Sequence, residues 1–181
     1  MNIQGGKVKL DIAVCGNLQN NVYVLGDDKE CLIIDPSSEL EKIERLVNNR
    51  KIVGVLITHK HYDHIGLLDY YKEKGVKEYS YDTIIGDTIH LLGKDIIVRR
   101  NPGHSEDSIS FIIDNMFFTG DFLFKGSIGR TDFEGSDPLK MIQSLKALKN
   151  LDKDYLIYPG HGESSSFYEE KRNNPYLREL K

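Results

Sequence analysis

Residues 52–64 read Ile52-Val53-Gly54-Val55-Leu56-Ile57-Thr58-His59-Lys60-His61-Tyr62-Asp63-His64. The run Ile52 to Thr58 is almost continuously apolar, which predicts a strand covered on both faces. It ends on three histidines and an aspartate within six residues. Side chains two apart on an extended chain point the same way, so His59 and His61 can reach one ion, while the following turn presents Asp63 and His64 elsewhere.

Working outward, two further histidines follow small turn residues at strand ends, in Asn101-Pro102-Gly103-His104 and Tyr158-Pro159-Gly160-His161. Asp121 closes Thr119-Gly120-Asp121 after the apolar run Met116 to Phe118. Each piece alone is weak. A lone histidine is more often a core or surface residue than a ligand, and His90, inside the strand-like Thr88-Ile89-His90-Leu91, takes that bland reading. Asp63 alone could be the N-cap of a helix. Five histidines and two aspartates at strand-to-loop junctions form a thiolate-free nitrogen and oxygen array suited to zinc, iron or manganese. A structural zinc site is closed and often thiolate-rich, so this array argues against a non-catalytic metal-binding module.

The flanking pattern predicts the scaffold. Val8 to Val14, Asn21 to Leu25 and Cys31 to Asp35 read as antiparallel strands separated by glycine turns. Ser37 or Ser38 can cap a helix with Leu40, Ile43 and Val47 on its apolar face. A second helix is expected from His64 to Lys74, stopped by Gly75. Strands follow at Thr88 to Leu91, Asp95 to Arg100, Ser108 to Ile113 and Met116 to Thr119, then a helix from Pro138 to Lys149 and a strand from Tyr155 to Tyr158. Two strand-rich halves, each carrying helices, predict an α/β (α+β) fold: an αββα sandwich forming one domain over residues 1–181.

Composition narrows the function. Lys and Arg number 24 against 28 Asp and Glu, a net charge of -4, so no basic field favours nucleic acid as a partner. No apolar run approaches the roughly 20 residues of a membrane span, and Met1 to Leu10 lacks an apolar signal core, so a cytoplasmic location is expected. Cys15 and Cys31 lie in strand-like runs and read as buried free thiols.

The ordered pattern His-x-His-x-Asp-His, then His104, Asp121 and His161, resembles the metallo-β-lactamase superfamily. The resemblance implies the αββα fold and two divalent metal ions, zinc first, with iron or manganese as alternatives. His59, His61 and His104 would hold the first ion, Asp63, His64 and His161 the second, and Asp121 would bridge them. The stretch Gly120-Asp121-Phe122-Leu123-Phe124-Lys125-Gly126-Ser127-Ile128-Gly129-Arg130-Thr131-Asp132-Phe133, with Asn174-Pro175-Tyr176-Leu177, is similar to the glyoxalase II-like (hydroxyacylglutathione hydrolase-like) branch. That implies a small-molecule thioester substrate, a metal-bridging hydroxide oriented by Asp63 as nucleophile, and Arg130 as a substrate-binding residue. Long members of the branch add a C-terminal helical domain that grips glutathione, for which residues 1–181 are expected to hold no counterpart. The rival of the same fold is a persulfide dioxygenase using one iron on His59, His104 and Asp121. Ser127 and Ile128, where that pattern carries Gly-Cys, argue against it.

Overall fold

The computed structural model describes residues 8–180; most of the segment read for a signal core lies outside them, in residues 1–7. Along the chain run β1 (Lys9–Cys15), β2 (Asn20–Gly26), β3 (Glu30–Ile34), α1 (Leu40–Val47), β4 (Lys51–Leu56), α2 (Tyr62–Ile65), α3 (Leu68–Glu73) and β5 (Glu78–Tyr79). The second half holds β6 (Thr88–Leu91), β7 (Lys94–Arg100), β8 (Ile109–Ile113), β9 (Met116–Gly120), β10 (Leu123–Phe124), β11 (Ser127–Ile128), α4 (Pro138–Ala147), β12 (Leu156–Pro159), β13 (Ser165–Ser166), α5 (Phe167–Asn173) and α6 (Pro175–Arg178).

Strands β1-β2-β3-β4-β5 form one sheet and β13-β12-β9-β8-β7-β6 the other, with β10 and β11 a separate ribbon. Tyr23, Leu32 and Leu56 of the first sheet pack against Phe111 and Phe118 of the second in the central core. The opposite face of the first sheet buries Val22, Val24 and Ile33 under Ile43, Val47 and Tyr71 of α1 and α3. That of the second buries Phe117 and Ile157 under Met141, Leu145 and Phe167 of α4 and α5. The period-2 alternation of the strands thus serves two cores at once, which makes the expected αββα sandwich. Cys15 and Cys31 are buried free thiols.

Two local expectations fail. Neither Ser37 nor Ser38 caps α1: Glu39 occupies the N-cap at φ 59° without a side-chain cap bond, its carboxylate instead accepting from the Gly16 amide and Lys42 Nζ, each at 3.0 Å. The helix expected from His64 to Lys74 is two, because the Leu67 amide donates to the Pro36 carbonyl at 2.9 Å rather than to its own helix. Gly66 sits so close to the Ser37 carbonyl that any Cβ would collide with it. The 36–38 loop therefore pins the chain where α2 would continue. His61, not Asp63, is the N-cap of α2, so capping does not explain Asp63.

The topology sets the site. β7 and β9 are both antiparallel to β8, and β12 is parallel to β9, so the ends of β7, β9 and β12 leading to His104, Asp121 and His161 lie on one rim. The Ile109 amide at the start of β8 donates to the Thr58 carbonyl at 2.8 Å, which brings the segment after β4 to the same rim.

Candidate metal centre

All seven residues singled out in the sequence meet on that rim. Three groups present ligand atoms within 4.8 Å of one another: His59, His61 and His104; His59, His64 and Asp121; and Asp63, His64 and His161. His104 Nε2 is 3.0 Å from His61 Nδ1. Asp121 Oδ2 lies 3.5 Å from His104 Nε2 and 3.5 Å from His161 Nε2, while Asp121 Oδ1 is 3.4 Å from His64 Nε2. Asp63 Oδ2 is 3.4 Å from His161 Nε2. Close approach is enforced at Gly160, where a Cβ would run into Asp121 Oδ1 and come within 2.6 Å of His64 Cε1.

The residues behind the rings decide which nitrogens face inward. A carbonyl can only accept, so His104 Nδ1 donates to Arg130 O at 3.0 Å and His161 Nδ1 to Leu18 O at 2.9 Å. His64 Nδ1 donates to Asp35 Oδ2 at 3.0 Å. Thr58 Oγ1 spends its proton on Asp35 Oδ2 at 2.6 Å, so at 3.1 Å it accepts from His59 Nδ1. In all four rings Nε2 is left for the interior, the arrangement that outer partners impose on metal-binding histidines.

Asp35 was missed by sequence reading, although it ends a strand just as Asp121 does. It sits at φ 52°, a conformation aspartate tolerates better than most residues, and its other oxygen accepts from the Thr58 amide at 2.7 Å. Asn20, 1% exposed, donates from Nδ2 to Asp63 Oδ2 at 3.0 Å.

The donor set fits divalent ions. His59 Nε2, His64 Nε2 and Asp121 Oδ1 are buried without a hydrogen-bond partner, which is costly unless a ligand satisfies them. Inter-donor gaps of 3.4 to 3.5 Å match the edge of a ligand tetrahedron, roughly 3.3 to 3.4 Å for bonds of about 2.0 to 2.1 Å.

Proton affinity divides the site. Burial, reinforced by neighbouring imidazoles, pushes His59 well below the usual histidine range and His104 down as well. Burial also disfavours the charged form of His64, but Asp121 and Asp35 outweigh it and push the ring up to about 10. Asp121 and Asp63 do the same for His161, also up to about 10. Burial opposes ionisation of Asp63 and Asp121, yet hydrogen bonds led by His161 hold both well below the carboxylate range.

Above these residues opens a cleft of about 660 Å³ lined by Leu18, Tyr62, Phe124, Ile128, Arg130 and Phe133. Phe133 stands 5.4 Å from His61 and 5.2 Å from His104, ring to ring, and Phe124 6.2 Å from His161. The Arg130 guanidinium pairs with Asp132 at 2.9 and 3.2 Å on the exposed rim. His90 lies apart, on the surface, 3.0 Å from Asp95.

Comparison with known proteins places this geometry. The family model of the metallo-beta-lactamase superfamily matches residues 15–83 and 77–161. A hydroxyacylglutathione hydrolase, GloC, of Haemophilus influenzae is 32% identical, covering 92% of this chain and 96% of the relative. A probable metallo-hydrolase of Bacillus subtilis, YqgX, is 29% identical, covering 90% and 94%. Among solved structures, BLEG-1, described as a B3 metallo-beta-lactamase, superposes with a TM-score of 0.85 at 25% identity, covering 93% of this chain and 99% of that one. ETHE1 from Myxococcus xanthus gives 0.82 at 28% (92% and 83%), and TTHA1623 in a di-iron-bound form 0.81 at 28% (92% and 100%).

Proposed function

Because the chain belongs to the metallo-β-lactamase superfamily, we propose that it is a binuclear metallohydrolase that cleaves a small acyl thioester in the manner of the hydroxyacylglutathione hydrolases it is similar to. The observation that carries this reading is Asp121 Oδ2, equidistant at 3.5 Å from His104 Nε2 and His161 Nε2 and so between two donor groups. His59, His61 and His104 would hold one ion, Asp63, His64 and His161 the other, with Asp121 shared. Zinc suits this nitrogen and oxygen set, as do iron and manganese.

Two divalent ions bound there supply Lewis acidity, lowering the pKa of a water and polarising a carbonyl. The chain's own residues do the rest. Asp63, kept ionised and fixed by Asn20, orients the attacking water through a carboxylate oxygen. Phe124, Ile128 and Phe133 bind the apolar part of the substrate and exclude bulk water. Arg130 offers a guanidinium at the rim to an anionic thiol carrier. With a thiol pKa of about 8.5, the leaving sulfur needs no acid, and none is asked of the cleft. One domain, acting in the cytoplasm, completes the reading, and the unpaired buried thiols of Cys15 and Cys31 suit that compartment.

A second reading, a mononuclear iron dioxygenase acting on persulfides, would place one iron on His59, His104 and Asp121, of which His104 Nε2 and Asp121 Oδ2 approach to 3.5 Å. One experiment divides the two: metal content per chain, followed by a thioester panel and by a persulfide in an oxygen electrode. Two ions with thioester cleavage and no oxygen uptake is the expected result. One iron with oxygen uptake would replace it by the second reading.

A further inference from the structure

The β1–β2 turn and the first two residues of β2 make most of the outer contacts that link the first hairpin to the second donor group; Tyr23, further along β2, adds a bond from its hydroxyl to Pro159 O at 2.6 Å. The Leu18 carbonyl accepts from His161 Nδ1, and the Asn20 main chain bridges to His161. The Asn21 amide donates to Gly160 O at 2.7 Å, and Asn21 Nδ2 to Pro159 O at 3.0 Å and Gly162 O at 2.9 Å. Asn20 Nδ2 closes the set on Asp63. The first group leans elsewhere, His104 on Arg130 O and His59 on Thr58 Oγ1.

From this division we infer that the β1–β2 turn and the start of β2 govern occupancy of the second metal subsite separately from the first, with Asn20 as the positioning residue that orients Asp63. The inference rests on the two-ion reading. Asn20 is buried and neutral, and its amide donates to Asp63 Oδ2 without bringing a charge that would compete for the ion. With the carboxylate held at one oxygen, Asp63 is restrained where His161 Nε2 lies 3.4 Å away. Without the donor, the side chain is free to rotate, and the entropy of ordering it falls on metal binding. Outer partners of ligands typically contribute about 10- to 100-fold in metal affinity.

The test is a titration of metal-free protein with zinc against a chromophoric chelator, which resolves the two binding steps, together with cobalt(II) absorption as a report on each coordination environment. Asn20→Leu removes the donor while keeping the same branched skeleton, and Asn20→Ser keeps a shorter donor. For Asn20→Leu the first step should stay at the parent's affinity and the second should weaken about 10- to 100-fold, with the cobalt spectrum changing only for the second equivalent. Asn20→Ser should fall between. An intact first step reports an intact fold; if Asn20→Leu does not fold, the same comparison is made on Asn20→Ser. Both steps unchanged, or both weakened alike, overturns the role of the turn while leaving two ions bound. A parent that takes up only one ion overturns the two-ion reading, and this inference with it, before any variant is made.

Discussion

The two donor groups are built from similar side chains yet hold protons in opposite ways. His59 and His104 lie with His61 and no carboxylate of their own, so burial drives them neutral. His64 and His161 lie against Asp35, Asp63 and Asp121, and both are pushed up to about 10. One group thus stands ready for an ion, whereas the other has first to release protons. Asp121 is the residue common to both, and the sharpest break of the comparison lies there. Asp121→Ala should remove or misplace both ions and lower turnover by more than the roughly 100-fold typical of outer partners, with the fold retained. Two ions and parental rates in that variant, by metal analysis and thioester assay, would show that Asp121 bridges nothing.

Paired variants come next in size. His61→Ala should strip the first ion and His161→Ala the second, each leaving about one ion per chain and each costing most of the thioesterase rate. Metal analysis after dialysis decides it. If either variant retains two ions, the division into groups is wrong, and if His161→Ala retains full rate with one iron, the dioxygenase reading gains.

The ligand candidates and the residues that support them are unequally legible in the sequence. All seven ligand candidates could be read from the sequence, since His59, His104, Asp121 and His161 each follow a strand-like run and strand ends are where sheets present loops. The separation of Asp63 from His61 was also legible, from the turn between them. The supporting residues were not. Asp35 obeys the same strand-end rule but lies before Pro36-Ser37-Ser38, which reads as a cap. Asn20 meets Asp63 only through the pairing of hairpin and loop, 43 residues apart in the chain, and no local pattern encodes that contact. The break between α2 and α3 was hidden for the same reason: it is made by the distant Pro36 carbonyl, and the helical periodicity runs straight through it. α5 and α6 were passed over, although Ser166 and Asn174 cap them by hydrogen bonding to amides within their first turns.

A pH series sharpens the contrast more gently. His64 and His161 carry protons in the metal-free chain at neutral pH, so second-ion affinity should rise with pH by up to about tenfold per unit for each proton released. First-ion affinity should be nearly flat above the usual histidine value of 6.5. Calorimetry in buffers of different protonation enthalpy counts the protons for each step, and equal release from both steps would erase the distinction. The sign for stability follows from the same shifts. With folded values raised, the metal-free fold keeps their full contribution below 6.5 and loses it as pH rises through about 10.

Arg130 touches the first group through its main chain and the cleft through its side chain, and its expected effect is confined to one class of substrate. Its carbonyl accepts from His104 Nδ1, and no side-chain substitution removes that bond. Its guanidinium pairs with Asp132, but both side chains are largely exposed, 75% and 68%, and such solvent-screened pairs contribute little to stability. Arg130→Ala should therefore leave the melting temperature and both metal affinities near the parent's. What it removes is a cation at the mouth of the cleft. For a glutathione thioester, loss of a charge-assisted contact of about 1.5 to 3 kcal/mol raises the Michaelis constant roughly 10- to 100-fold, while a thioester of an uncharged thiol is barely affected. A lowered melting temperature with an unchanged Michaelis constant would assign Arg130 to the ion pair with Asp132 instead. The anionic carrier would then lose its anchor, and the two donor groups would be left to act on a thioester chosen by Phe124 and Phe133.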